Sequence, residues 1–200
     1  MLRVIMCLAV ALSTGLLASP AGAQTAAAKS KVSDRIAVTD SAKDIEILVA
    51  KLLKDAFRLE SSLKLVNDNP DDLRLQIPMA ADEERGIPRL VGVVDTAVVA
   101  RDKDGVAISQ SINIAAAADL KFTKEQIPRL LQWANGWNAR MFPIRVFIAD
   151  NRVFTGTAIL GTTAKPNSSD QIVDGFLGVV RIWSAVIREL KANKLLPDKD

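Results

Sequence analysis

The chain lacks histidine and tyrosine and has a single cysteine, Cys7, among its 200 residues. Each absence removes a chemistry. Without histidine there is no Ser-His-Asp triad and no Cys-His pair. Without histidine and with one cysteine, a zinc site of the usual nitrogen and sulfur ligands cannot be assembled. Aromatic residues make up 4% of the chain, which leaves little surface for a sugar ring to stack on. Neither a Gly-Lys-Ser/Thr phosphate loop nor a dinucleotide-binding glycine fingerprint occurs. These gaps predict a protein that is not an enzyme, with no cofactor and no metal.

What is present begins with an export signal. Arg3 supplies a short positive start, and residues 4–17 form an almost unbroken apolar run. That run is too short to span a bilayer stably. Ser19, Pro20, Ala21, Gly22 and Ala23 close it with small residues, so cleavage is expected after Ala23. Residues 1–23 read as a signal peptide, which predicts a periplasmic or secreted protein with no membrane insertion after cleavage. Cys7 lies too early in the run for a lipoprotein signal, and it leaves with the leader. The mature chain then has no cysteine and no disulfide, despite an oxidising destination. The leader takes one of 26 basic residues and none of 23 acidic ones, so 25 against 23 remain and the net charge is +2. Both signs are interspersed, which argues against a nucleic-acid surface.

Residues 24–40, rich in Ala, Lys, Ser and Thr, read as a flexible leader. Residues 41–196 then read as a single domain. Ser41 and Asp44 suggest a helix start, and Ile45, Leu48, Leu52 and Phe57 follow at helical spacing, predicting a helix over 41–61. Short strands are expected at 63–66 and 73–77, split by the turn cluster 67–72, with 79–88 as loop. Residues 91–101 and 106–115 form the clearest hairpin, joined by Asp102-Lys103-Asp104-Gly105. On its second arm Ile108, Ile112 and Ile114 share one parity, and Ser109, Ser111 and Asn113 the other, as a sheet with one wet face requires. Thr123 and Gln126 open a second helix, whose inward residues would be Ile127, Leu130, Leu131, Ala134 and Trp137. A second hairpin, 144–149 and 152–160, turns at Asp150-Asn151. Ser168 and Gln171 cap a long last helix striped by Ile172, Phe176, Val180, Trp183, Ile187 and Leu190. The pattern predicts an α+β fold, an antiparallel sheet packed by helices in the order α-β-β-β-α-β-β-α.

Two motifs carry weak chemistry. Ser61-Ser62-Leu63-Lys64 has the Ser-x-x-Lys spacing of penicillin-binding enzymes, but their other two elements are missing. A polar helix end accounts for it. Asp102 and Asp104 open like a calcium loop without the later ligands, and a hairpin turn accounts for them. The acidic cluster 68–72 reads as a solvated turn.

The most distinctive stretch is 132–140. Trp133 and Trp137 lie one turn apart, and Asn135 and Asn138 end the helix. A helix closed by this Asn pair, then a strand, an Asp-Asn turn, another strand and a capped amphipathic helix resembles the YbjN-like family over roughly residues 115–190. The resemblance implies a fold similar to type III secretion chaperones, with helices on a strongly bent antiparallel sheet, and a role in binding other proteins. Family members are loosely described as sensory or regulatory and mostly cytoplasmic, so an exported chain departs from them. No catalytic residue carries over.

Trp133, Asn135, Trp137 and Asn138 are therefore the candidate binding residues. A tryptophan half-exposed there would anchor a partner. Otherwise both tryptophans pack on the sheet and both asparagines close the helix. The expected function is a non-catalytic protein-binding or chaperone-like domain with a protein or peptide partner, or a homodimer. The alternative is a periplasmic hydrolase built on carboxylates or lysine.

Overall fold

The computed structural model describes residues 35–59, 62–66, 69–141 and 143–197. The leader and residues 24–34 of the 24–40 segment lie outside the described residues, whereas Arg35–Ile36 at its end form a strand with Ile36 buried in the core. The elements run β1 (Arg35–Ile36), α1 (Ala42–Phe57), β2 (Ser62–Val66), β3 (Asn69–Met79), β4 (Leu90–Arg101), β5 (Ala107–Ala118), α2 (Ile127–Asn138), β6 (Arg145–Ala149), β7 (Arg152–Thr162), β8 (Asn167–Ser168), α3 (Ser169–Arg181) and α4 (Trp183–Ala192). The class is α+β, as the pattern predicts. Six strands form one antiparallel sheet in the order β2-β3-β4-β5-β7-β6, and β1 pairs with β8 beside it.

Local chemistry sets most of these boundaries. The Ser41 hydroxyl accepts from the Asp44 N–H, and the α1 ladder stops where Arg58 enters the left-handed region at φ 54°. The helix is therefore shorter than the 41–61 expected. Ser62 and Lys64 consequently lie on β2, not at a helix end, while Ser61 is outside the described residues. The turn between the first two strands is also tighter than expected, because Asn69 already begins β3. Asn67 and Asp68 are not described. Four strands separate α1 from α2, matching the four expected segments and one more than the order α-β-β-β-α-β-β-α counts.

Both predicted hairpins form. The Asp102 carboxylate accepts from the backbone N–H groups of Asp104 and Val106, and Gly105 takes φ 80°. Asp102 Oδ1 takes both bonds as a turn acceptor, which is what that Asp-x-Asp-Gly run does here. Asp150 and Asn151 sit at φ 49° and 57°, the paired positive angles of a turn matching strand twist. The capping box at Ser168 and Gln171 closes in both directions. At α2 only half the expected cap forms: Gln126 Oε1 accepts from the Thr123 N–H, and the helix proper starts at Ile127 with Pro128 in its first turn. The last helix is interrupted at Ile182.

One side of the sheet carries the core. Leu75, Ile77, Leu90, Val94, Ile112, Ile114, Ala116, Val146 and Val153 meet Ile45, Val49 and Leu53 of α1, and Ile172, Phe176, Val179, Trp183, Val186 and Leu190 of α3 and α4. α1 lies over β3 and β4, α3 over β5 and β7, and α2 against β6. Polar contacts pin this layer. Thr96 of β4 gives its backbone N–H and its hydroxyl to Oε1 of the fully buried Glu46, each at 3.3 Å, and Thr155 Oγ1 donates to Val179 O at 3.0 Å.

Candidate interaction face

The candidate residues on α2 separate into different roles. Trp137 is 2% exposed and belongs to the core. It cannot anchor a partner, which corrects its place among the binding residues. Burial also leaves its indole N–H without an acceptor among the described residues. Trp133 is half-buried, 5.7 Å from Trp137 between ring centres, and its N–H donates to Glu189 Oε2 at 3.2 Å. Arg140 binds the same oxygen at 3.2 Å. The pair thus fastens α2 to α4. Asn135 is exposed on the helix surface.

Asn138 is neither a left-handed cap nor a free amide. Its Nδ2 donates to Val146 O and its Oδ1 accepts from Val146 N–H, both at 2.7 Å. The helix ends instead on Ala139 in the right-handed region. Val146 lies on β6, the last strand of the sheet. The amide presents one donor and one acceptor, as a further strand would. It therefore closes the open edge at that residue. Arg145 Nη1 donates to Asn138 O at 2.5 Å and holds the same junction.

A shallow groove of about 330 Å³ lies beside this cluster, lined by Arg129, Gln132, Trp133, Asn193 and Leu195. Arg129 is its single ionisable side chain, and its guanidinium already donates to Asn193 O at 3.3 Å. Among the described residues, no three Asp, Glu, His or Cys side chains converge as a metal site would require. No described helix is long and apolar enough to cross a membrane.

The face of the sheet opposite the helices has a different character. Strand register places side chains in rows across it. Phe147, Phe154, Ala117, Val91 and Pro78 make one row from β6 to β3. Gly156, Ala115, Val93 and Gln76 make the next. Every described helix contact with the sheet given above is on the other side. The outward parity is apolar only toward the start of β4 and the end of β5; at the middle of these strands it carries Asp95, Asn113 and Ser111, the wet parity expected opposite buried Ile112 and Ile114, while Ser109 is buried and Ile108 exposed.

Relief on this face is specific. Phe147 and Phe154 stack at 5.1 Å with their planes 8° apart. The Phe147 ring leans over Gly156, where a Cβ would stand 3.0 Å from its edge and 3.1 Å from Ile114 O. Only a residue without Cβ fits that approach. Phe147 remains 42% exposed, whereas Ala117, recessed between Phe154 and Val91, is 5% exposed. Ala115 and Ala117 thus lie low between Phe154 on one side and Val91 and Val93 on the other, with Gly156 covered by the Phe147 ring. Five strands at about 4.8 Å spacing make the strip about 19 Å long. Farther along, Leu160 is 61% and Val99 57% exposed on the same side.

Sequence reasoning missed this face because it assigned each strand one buried parity. The signal was present in Val91, Val93, Ala97 and Val99, and in Ala115 and Ala117, which are apolar on the parity opposite Val94, Ile112 and Ile114. Comparison with protein-family models finds no match, and neither curated proteins nor solved structures supply a similar chain.

Proposed function

We propose that this is a non-catalytic, chaperone-like binding domain that holds an apolar stretch of another polypeptide against the open face of its sheet. The observation that carries the reading is the apolar strip in which Ala115 and Ala117 lie low between Phe154 and the valines Val91 and Val93, with the exposed Phe147 ring at its end. A contiguous apolar strip on a folded surface marks an interaction site, and small floor residues between larger walls accept side chains from a partner. The YbjN-like resemblance of residues 115–190, and the type III secretion chaperone-like arrangement it implies, support the same reading. The apolar run of residues 4–17 and the small residues that follow it support a periplasmic or secreted setting.

The test uses the exported protein and a permanently unfolded client, reduced and alkylated α-lactalbumin. Phe147→Glu with Leu160→Glu puts charge on two exposed positions outside the core. The doubly substituted protein should keep its circular dichroism spectrum and lose binding by at least about tenfold. Unchanged client affinity in a folded variant refutes the reading. The mass of the exported protein reports whether cleavage falls after Ala23.

A further inference from the structure

The centre of the open face is its own complement. β4 and β5 are the middle strands of the six. Their outward residues stand opposite one another in four rows: Val91 with Ala117, Val93 with Ala115, Asp95 with Asn113 and Ala97 with Ser111. The first two rows set a raised line of valine on β4 beside a lowered line of alanine on β5, where Ala117 is 5% exposed. A half-turn about an axis running along the strands, midway between β4 and β5, exchanges the two lines. Laid face to face in that way, a second copy brings its Val91 over Ala117 and its Val93 over Ala115. It brings Asn113 over Asp95, so that no carboxylate meets its own copy, and Ser111 over Ala97. One strand farther out, the same half-turn brings Pro78 of β3 over Phe154 of β7. A half-turn about an axis across the strands has no such match, because it lays β4 on β4 and sets Val93 over Asp95.

An isologous contact requires a surface that fits itself, and a partner of unrelated sequence has no reason to repeat that match. A second sheet on the open face also gives the stack helix, sheet, sheet, helix, with the sheets about 10 Å apart and their strands within about 30°. Five strands about 4.8 Å apart and four rows about 7 Å apart give a footprint of roughly 600 Å² per copy. The roughly 1,200 Å² of the pair stands at the lower end of specific interfaces, as a reversible dimer requires. Resting on the reading of this face as the client surface, we infer that its resting occupant is a second copy of the chain, paired about an axis along β4 and β5, and that a client binds by displacing it. The exported protein then conceals its apolar strip when concentrated. It offers the strip when dilute or when client is abundant, by mass action.

Sedimentation velocity of the exported protein from about 1 to 100 µM should show a reversible monomer–dimer equilibrium with Kd in about the micromolar range. Ala115→Leu fills the lowered line and should weaken the dimer at least about tenfold while the circular dichroism spectrum is kept. Adding Val93→Ala, which shortens the opposing side chain, should recover most of that loss. Reduced and alkylated α-lactalbumin should shift the equilibrium to monomer. Its apparent affinity should weaken several-fold as the protein concentration passes the dimer Kd. A monomer at every concentration overturns the inference, and leaves the open-face reading standing if that monomer binds the client. A dimer unmoved by Ala115→Leu pairs through another surface and overturns the inference too, as does a client that binds the intact dimer. A dimer that responds to both substitutions while no client binds at any concentration supports the pairing and overturns the client reading. A monomer recruited to phosphatidylglycerol vesicles, with no client bound, assigns the face to lipid and overturns both.

Discussion

Asn138→Ala removes two hydrogen bonds of 2.7 Å between one side chain and both backbone groups of Val146. Neutral hydrogen bonds contribute about 1 kcal/mol each on net, so the loss is about 2 kcal/mol. Water can reach part of a half-buried strand edge and lowers the cost. The lost positioning of Arg145, whose guanidinium holds Asn138 O, adds to it. Alanine's better helix propensity offsets about 0.5 kcal/mol. The balance is about 2 kcal/mol, or about 4–8 °C in Tm for a domain of this size. Urea unfolding followed by circular dichroism measures the first quantity and calorimetry the second. Asn135→Ala, three residues earlier and exposed, should stay within about 0.5 kcal/mol of the parent. Asn138→Asp adds a pH signature. Its ionised carboxylate would face Val146 O, whereas the protonated acid can donate to it. The folded state therefore raises that group's pKa, so stability is lost as pH rises through the folded value and regained toward about pH 4. If Asn138→Ala costs less than about 0.5 kcal/mol, solvent satisfies the edge of β6 and the reasoning is wrong.

Three further perturbations test other parts of the structure. Thr96→Val removes the hydroxyl beside buried Glu46 at nearly constant shape and should cost about 1–3 kcal/mol in urea unfolding, with Thr96→Ser recovering most of it. Asn151→Gly relieves a positive φ of 57° in the β6–β7 turn and should leave the protein as stable or up to about 1 kcal/mol more so, by calorimetry. A clear loss would show that the Asn151 side chain matters to the turn. The Glu125 carboxyl is held below its ordinary pKa, first by the Thr123 side chain and then by its own backbone N–H. Its NMR titration should shift toward the ordinary value in Thr123→Val. A folded pKa below the unfolded one favours the native state above the unfolded value, and that contribution falls away as pH drops through the folded value.

The sequence by itself determined what depends on neighbours a few residues apart. Ser41 with Asp44 and Ser168 with Gln171 set helix starts because a hydroxyl finds an N–H three residues on. Asp102 to Gly105 and Asp150-Asn151 set hairpins because those residues tolerate the required positive φ. Alternating Ile112 and Ile114 marked a strand, and Trp183 a core position. Tertiary structure decided what depends on which surfaces meet. Nothing local to residues 132–140 tells that Trp137 is enclosed while Trp133 reaches Glu189, about fifty residues away. Asn138 looks like a helix terminator until β6 arrives at its side chain. The open face was the least legible of all. Apolar residues on both parities suit a sheet covered on both sides, and only the placement of α1, α3 and α4 on one side left Ala115, Ala117 and Phe154 facing outward. Local hydrogen bonding is written in adjacent residues, whereas burial is a property of the whole packing arrangement.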